Sequence, residues 1–237
     1  MTASAAAGVF HPARLVARTD AGGGLSRLTV ETGRDVLATY TSPGQYVEVR
    51  ARGETGYFVL ASDPGARGWE VILRSGGGAS DVLLAMGVGE SIEVSAAIGA
   101  GFPMDEARGR PVVIALSGTG IAAARPLVHR RMADGDAART QLLVGVRARG
   151  ELPIEGQLGR WAAEGLRVVV CFSQADGAPE DARFRRGYVQ DVLLHRAELR
   201  PPPGARIFAV GLASMIEALR ELAPALGIAP EHVHTNH

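Results

Sequence analysis

The sequence contains no lysine, and this absence excludes several kinds of chemistry. All 25 basic residues among its 237 are arginines. A P-loop lysine, a Schiff-base lysine and every pyridoxal mechanism are therefore ruled out. The single cysteine, Cys171, excludes internal disulfides, cysteine-ligated iron–sulfur clusters and structural cysteine zinc sites. Because Cys171 lies inside an apolar run, we expect it to be an inert core residue.

Excess charge and long hydrophobic runs are also lacking. The 25 acidic residues balance the arginines and give a net charge of zero, which leaves no basic footprint for nucleic acid or an anionic membrane. No apolar run approaches the ~18–20 residues that span a bilayer, and the N-terminus has no basic segment followed by an apolar core. We therefore expect a soluble protein in a reducing, cytoplasmic setting, with no nucleic-acid or membrane partner and no metal site.

The first part of the chain, up to about residue 104, has short alternating segments separated by glycine and proline turns. Evenly spaced short strands of this kind predict a six-stranded antiparallel β-barrel. The predicted strands are 13–18, 25–31, 46–50, 57–62, 69–74 and 91–97. One helical segment, 79–86, follows three consecutive glycines.

From residue 111 onward, apolar strands alternate with helical patterns. The predicted strands are 112–116, 141–146, 167–172, 207–210 and 232–235, and the predicted helices lie near 121–133, 155–164, 189–197 and 214–226. This alternation predicts a Rossmann-like parallel sheet with helices on both faces. The polar segment 105–110 is the predicted linker between a domain at 1–104 and a second at 111–237.

A glycine-rich turn, 117–122, directly follows the first apolar strand of the second domain. Gly118 and Gly120 allow a tight turn and let a phosphate approach the bare N–H groups at a helix start. We expect a side chain at Gly120 to obstruct such phosphates. The same pattern also occurs in simple tight turns, but a second glycine-rich turn at 76–80 favours the nucleotide interpretation.

Taken in order, these motifs resemble the ferredoxin–NADP⁺ reductase-type flavoproteins over nearly the whole chain. The matching segments are 42–47 (Pro-Gly-Gln-Tyr strand), 76–80 (Gly-Gly-x-x-Ser turn), 88–90, 98–102, 118–122, 145–147, 187–191 and 211–215. The resemblance implies an FAD-binding barrel followed by an NAD(P)-binding α/β domain. In relatives, the turn that matches 76–80 binds the FAD pyrophosphate.

The sequence departs from the family in its flavin strand, which usually reads Arg-x-Tyr-Ser. The corresponding positions here are Gly56, Phe58 and Val59, followed by Ala61 and Ser62. Phe58 retains an aromatic ring that can stack on the flavin, but the phosphate-binding arginine and the serine hydroxyl are missing. The family's Cys-Gly-Pro-Pro is replaced at 210–213 and loses its thiol. Cofactors are therefore expected to bind, with hydride transfer slow or differently tuned.

The resemblance implies two sets of cofactor contacts. The FAD set is Phe58, Val59, Ala61, Ser62, Arg74, Gly76, Gly77, Gly78, Ser80 and His237. Arg74 is either a substitute for the missing arginine or an edge-strand residue in solvent, and His237 either covers the flavin or is a frayed end. The NAD(P) set is Gly118, Thr119, Gly120, Ile121, Arg147, Ser173, Arg186, Tyr188, Gly211 and Met215.

Three of these residues resemble the family's NADP-selecting cluster. The guanidinium of Arg186 can bind a phosphate through two parallel hydrogen bonds, and the ring of Tyr188 can stack on adenine. Ser173 is the third member of this cluster. Gln174, however, replaces the usual second arginine, and 183–186 also fits a solvated loop. NADPH and NADH both remain open as the nucleotide.

The implied function is that of a flavin-dependent oxidoreductase that passes electrons from NAD(P)H through FAD to a separate acceptor, for which a redox protein is one candidate. No individual catalytic residue is identified, because the protein's part is positioning and electrostatics. The alternative is a non-catalytic or regulatory flavoprotein-like subunit that docks on a partner redox protein. Loss of the flavin-side serine and the nicotinamide-side cysteine favours this alternative.

Overall fold

The first half of the chain forms an antiparallel six-stranded sheet. The computed structural model describes residues 9–174, 181 and 183–236. The strands are β1 (His11–Gly22), β2 (Leu25–Thr32), β3 (Tyr46–Ala51), β4 (Glu54–Val59), β5 (Trp69–Leu73) and β6 (Ser91–Val94). Their order is β4-β3-β6-β1-β2-β5, and all neighbours are antiparallel. All six predicted strands are thus confirmed.

The two edge strands of this sheet, β4 and β5, meet and close it into a barrel. Leu60 and Val71 form an antiparallel bridge, and the Ala61 N–H donates to the Glu70 carbonyl across 2.7 Å. Closure removes the unpaired edges that an open sheet would expose. Alternate residues along β3, such as Val47 and Val49, are buried in the interior. The predicted barrel is therefore confirmed.

The second half forms a six-stranded parallel sheet. Its strands are β7 (Val112–Ser117), β8 (Thr140–Val146), β9 (Arg167–Phe172), β10 (Phe184–Arg186), β11 (Arg206–Val210) and β12 (Val233–Thr235). The order is β10-β9-β8-β7-β11-β12. Every residue of β7 is buried, as expected for a strand covered on both faces. Sequence reasoning missed β10, which is only three residues long.

Helices cover both faces of this parallel sheet. In the described part of the chain, the α-helices are α1 (Arg34–Leu37), α2 (Gly78–Ala85), α3 (Met104–Ala107), α4 (Ala124–Ala133), α5 (Glu155–Ala163), α6 (Val189–His195) and α7 (Ala213–Leu222). The residues of β7 alternate between two hydrophobic clusters: Ile114 and Leu116 pack in one, Val113 and Ala115 in the other. Among the described residues, no helix is long and apolar enough to cross a membrane.

The segment predicted as a polar linker is partly folded onto the second domain. Helix α3 overlaps it, with Met104 and Ala107 buried. The fully buried Arg131 of α4 holds this segment by donating to the Ala107 carbonyl at 2.6 Å and to the Arg110 carbonyl at 2.7 Å. Arg131 also donates to the Thr140 hydroxyl at 2.8 Å and pairs with the Asp136 carboxylate 3.0 Å away. Composition alone did not indicate this arrangement, because its contacts come from residues distant in sequence.

Barrel and sheet share an interface made of both apolar and charged contacts. Ala61 and Ile72 of the barrel pack in the same hydrophobic cluster as Ile121 of the second domain. Beside them, Arg125 pairs with Glu70, and His129 Nδ1 lies 2.9 Å from the Asp63 carboxylate. The hydrogen bond with His129 lowers the pKa of Asp63 below its usual range. Of these residues, Ile72 also lines one of the cavities described next.

Candidate functional site

Two adjoining cavities open where the carboxyl ends of the parallel strands face the barrel. The interdomain cavity, about 530 Å³, is bounded by β4, β5 and the turn after β5 on one side and by the turns after β7 and β11 on the other. The sheet-edge cavity, about 450 Å³, runs along the ends of β7, β8 and β9. Arg74, Gly118 and Leu212 line both. Ligands bound in the two cavities would therefore lie side by side.

The glycine turn on the barrel side leads into the start of α2. Gly77 has φ 94° and Gly78 φ 56°, a left-handed backbone region that favours glycine. The N–H groups of the first helical turn have no intrahelical partner, and Gly76 and Ser80 line the interdomain cavity. This geometry fits the predicted phosphate turn.

Part of this turn is already occupied by a carboxylate that sequence reasoning missed. Asp81 accepts hydrogen bonds from the Ser75 hydroxyl at 2.7 Å and from the Gly76 and Gly77 N–H groups at 3.1 Å each. These bonds lower the pKa of Asp81, the one from Ser75 contributing most. An acidic residue in the first turn of a helix is a recognised N-terminal signal, so the sequence contained the clue.

Two buried polar atoms on the wall of the interdomain cavity have no hydrogen-bond partner among the described residues. They are Nε of Arg74 and Oδ1 of Asn236. Asn236 is 6% exposed and immediately follows β12. Both residues line the cavity, but these two atoms expose less than 1 Å², so a ligand there would contact other atoms of the same side chains. Both interpretations of Arg74, as a phosphate partner and as an edge-strand residue, therefore stay open.

The flavin strand places its two aromatic rings on opposite faces. Phe58 is 9% exposed and packs in the barrel interior, while its neighbour Tyr57 is 63% exposed. A Cβ at Gly56 would lie 3.1 Å from the Phe58 ring, so this ring fills the space beside the position of the missing arginine. Phe58 and Val59 still contribute to the cavity wall, and so does Tyr57, which sequence reasoning missed although strand alternation indicates it.

Ala61 and Ser62 belong to the barrel closure, which corrects the prediction that their side chains face a cofactor. Ala61 is fully buried and Ser62 nearly so. The Ser62 hydroxyl accepts from the Glu70 N–H at 3.1 Å, and the Ser62 carbonyl accepts from the Tyr40 hydroxyl at 2.9 Å. Their polar groups are therefore used to hold strands together.

The turn after β7 is a 3₁₀ helix, Gly118–Ala123, that runs into α4. Gly118 has φ 55° and open space around it, and Thr119 lines the interdomain cavity. A Cβ at Gly120 would lie 2.3 Å from the Val210 carbonyl oxygen, so a side chain there would strike β11 rather than a phosphate. Ile121 is buried in the interdomain core. Gly120 itself lines the interdomain cavity, so its predicted cofactor contact stays a prediction, while the expected obstruction by a side chain would fall on β11.

The turn after β11 is locked to the turn after β7. The Leu212 N–H donates to the Ser117 hydroxyl at 3.0 Å. Between them, Gly211 has φ 141°, and a Cβ there would lie 2.2 Å from that hydroxyl oxygen. Gly211 lines the interdomain cavity, and Leu212, an exposed apolar residue, lines both.

The sheet-edge cavity brings together half of the predicted NAD(P) contacts. Gly118, Arg147, Ser173, Tyr188 and Met215 all line it. Arg147 is paired with Glu151, another lining residue, across 2.6 Å; sequence reasoning missed this partner. Arg186 pairs with Phe172 in the sheet, at the same edge as Ser173. His237 lies outside the described residues.

Cys171 also borders the sheet-edge cavity, but it is buried. Burial raises the pKa of its thiol to about 12. A thiol that stays protonated at neutral pH is a poor nucleophile. Its position agrees with the predicted core role.

Comparison with known proteins finds a family match for the second half of the chain and relatives for most of its length. Residues 114–221 match the oxidoreductase NAD-binding domain family. The fruit protein pKIWI502 of Actinidia deliciosa is 26% identical over 215 residues, 84% of this chain and 67% of that protein. A ferredoxin–NAD(P)⁺ reductase component of naphthalene dioxygenase and salicylate hydroxylase systems from Ralstonia is 29% identical over 237 residues, 96% of this chain and 70% of that protein.

A solved structure shares the whole fold. The ferredoxin NADP⁺ reductase of Neisseria gonorrhoeae, determined with bound FAD and NADP, superposes with a TM-score of 0.79 at 16% identity. The match covers 95% of this chain and 97% of that one. The predicted resemblance is confirmed: the chain is similar to ferredoxin–NAD(P)⁺ reductase-type FAD/NAD(P)-binding oxidoreductases in sequence and in fold.

Proposed function

We propose that this chain is a flavin-dependent oxidoreductase that takes electrons from NAD(P)H and passes them to a separate acceptor. The observation that carries the proposal is the pair of adjoining cavities, which share Arg74, Gly118 and Leu212. One cavity meets the glycine turn of the barrel, and the other follows the carboxyl edge of the parallel sheet, where nucleotides bind in α/β folds.

In the interdomain cavity, the chain offers groups suited to FAD. The first-turn N–H groups of α2 and the Ser80 hydroxyl can donate to a pyrophosphate, and Arg74 supplies a nearby positive charge. Val59 and the edge of Phe58 give the cavity an apolar wall. When bound there, FAD would supply the chemistry that connects two-electron hydride transfer with one-electron transfer.

In the sheet-edge cavity, the chain offers groups suited to a pyridine dinucleotide. The Gly118 turn can receive its pyrophosphate, Tyr188 presents an exposed ring for stacking on adenine, and Arg147 adds a positive charge. Ser173 directly follows β9, and Arg186 lies on the neighbouring strand β10. We expect the 2′-phosphate of NADPH to bind at this edge of the sheet. This placement supports NADPH as the preferred nucleotide, with NADH also used.

The acceptor is proposed to be a separate redox protein. The Ralstonia relative is a reductase component that works with ferredoxin, and this chain's single cysteine excludes a cysteine-ligated cluster of its own. A cytoplasmic location belongs to the same proposal and is supported by the unpaired Cys171.

The second candidate function is a subunit that keeps the fold but docks on a redox partner without turnover. The buried position of Phe58 favours it, because little of that ring is available to stack on a flavin. So does the absence of an arginine at Gly56. The two candidates differ in whether added FAD supports electron transfer.

A reconstitution experiment separates these candidates. NADPH or NADH oxidation is measured with ferricyanide as acceptor, with FAD present and omitted, for wild type, Arg74→Ala and the exposed barrel control Arg14→Ala. We expect FAD-dependent oxidation in wild type and the control. In Arg74→Ala, FAD affinity should fall about ten- to a hundredfold, the value of a charged hydrogen bond. Absence of FAD-dependent oxidation in wild type would favour the docking subunit.

A further inference from the structure

The glycine turn that faces the interdomain cavity already holds an anion of its own. The Asp81 carboxylate accepts hydrogen bonds from the Ser75 hydroxyl and from the Gly76 and Gly77 N–H groups at 2.7–3.1 Å. These donors are the same kind that a phosphate would use. Because Asp81 is exposed, its side chain has room to rotate away.

Two acidic residues border the turn, Asp81 and Glu54. A Cβ at Gly78 would lie 3.6 Å from a Glu54 carboxylate oxygen, so this second acid stands beside Gly78. On the positive side stands Arg74, whose buried Nε is unpaired among the described residues. At the position of the family's strand arginine, Gly56 provides no charge. A pyrophosphate entering this turn would therefore meet like charge.

We infer that Asp81 is a built-in competitor for the FAD pyrophosphate, which keeps flavin binding weak and the flavin exchangeable. The inference rests on the proposed FAD site. In one arrangement, the FAD pyrophosphate displaces the Asp81 carboxylate from the Gly76 and Gly77 N–H groups. In the other, Asp81 keeps these hydrogen bonds, and the pyrophosphate binds the N–H groups of the first α2 turn beside the negatively charged carboxylate. In both arrangements the carboxylate opposes binding, and Arg74 offsets it only in part.

The inference gives a directional prediction for a single substitution. Asp81→Asn removes the charge but keeps an amide oxygen that can accept from the turn, so FAD should bind about tenfold more tightly. The gain should shrink as salt is raised, because an exposed charge is screened. Asp35→Asn, which removes an exposed acid from the first turn of α1 in the same domain, should change FAD affinity by less than about twofold.

The experiment measures Kd by flavin fluorescence quenching for wild type and both variants, with FAD and with riboflavin as probes. Riboflavin has the same ring system without the pyrophosphate, so Asp81→Asn should leave its affinity unchanged. A tighter FAD complex with unchanged riboflavin binding supports the inference. Unchanged or weaker FAD binding by Asp81→Asn overturns it, and so does an equal gain for riboflavin.

Folding controls keep the result interpretable. Thermal unfolding of each variant is recorded, and Asp81→Ser, whose hydroxyl can also accept from the turn, replaces Asp81→Asn if that variant is unstable. If wild type binds FAD and neither substitution of Asp81 changes the Kd for FAD, only the inference about Asp81 is contradicted. If wild type and both variants fail to bind FAD, the proposed function is contradicted, and the inference about Asp81 with it.

Discussion

Leu212 donates its backbone N–H to the Ser117 hydroxyl across 3.0 Å, which joins the turn after β11 to the end of β7. The Gly120 backbone packs against Val210 just beneath this bond. The two turns therefore behave as one unit, although they are about ninety residues apart in sequence. Since Leu212 lines both cavities, the bond sets the position of the wall between the two proposed cofactors.

Removing the Ser117 hydroxyl should loosen this wall. Ser117→Ala leaves the Leu212 N–H without its partner, and one hydrogen bond is worth ~0.5–1.5 kcal/mol. We expect NAD(P)H affinity to fall about two- to tenfold, measured by nucleotide titration. Ser91→Ala, at an exposed position of β6, is the control and should behave as wild type. Equal affinity in Ser117→Ala and wild type would show that the wall is held by other contacts.

A methyl group at Gly120 should destabilise the second domain. Its Cβ would lie 2.3 Å from the Val210 carbonyl oxygen, so the backbone must shift, and overpacking of this kind costs ~1–3 kcal/mol. The measurement is the free energy of unfolding of Gly120→Ala in urea. Gly156→Ala is the matched control, because open space surrounds Gly156 inside α5, and alanine there should stabilise the helix by ~0.5–1 kcal/mol. A Gly120→Ala variant as stable as wild type contradicts the close packing.

Periodicity predicted the strands of the barrel and most of the sheet, because alternation and apolar runs are local properties. The glycine turns and the family resemblance, rather than periodicity, pointed to Arg74, Ser80, Gly118 and Tyr188, and all four line the cavities. These positions needed no knowledge of distant contacts.

The remaining details depend on residues far apart in sequence. Gly120 looked like a phosphate contact, and only the approach of β11 reveals its packing role. Asn236 and Arg131 became informative once their surroundings were known. In contrast, Tyr57 and Asp81 were accessible to sequence reasoning, since strand alternation and helix N-terminal chemistry point to them.

Stability should decrease as pH falls below about 6.5, in part through His234. Burial of this histidine, together with the nearby Arg206 charge, lowers its pKa in the folded protein. Between the folded pKa and the unfolded value, the unfolded state binds more protons, so acidification favours unfolding. His234→Gln should flatten the dependence of the unfolding free energy on pH in this window, as measured by urea titrations. An unchanged slope in the variant would assign the pH dependence to other groups.

Preference for NADPH over NADH should be modest. One forked arginine–phosphate contact at a partly exposed site is worth ~1.5–3 kcal/mol at best, which corresponds to about ten- to a hundredfold in kcat/KM. Arg186→Ala should remove most of the preference and leave NADH use nearly intact. Arg183→Ala, in the same basic run but with its guanidinium over the Phe184 ring, is the control. Wild type that prefers NADH, or an Arg186→Ala variant that keeps the NADPH preference, contradicts the assignment.

The central claim is that the two adjoining cavities bring NAD(P)H and a bound flavin together. The most direct test is the visible absorption spectrum of the FAD-loaded protein, recorded without oxygen before and after addition of NADPH and, separately, NADH. We predict that the flavin absorption band disappears on addition of stoichiometric nucleotide and returns when an electron acceptor is added. A protein that binds FAD yet keeps its band with both nucleotides would contradict the account.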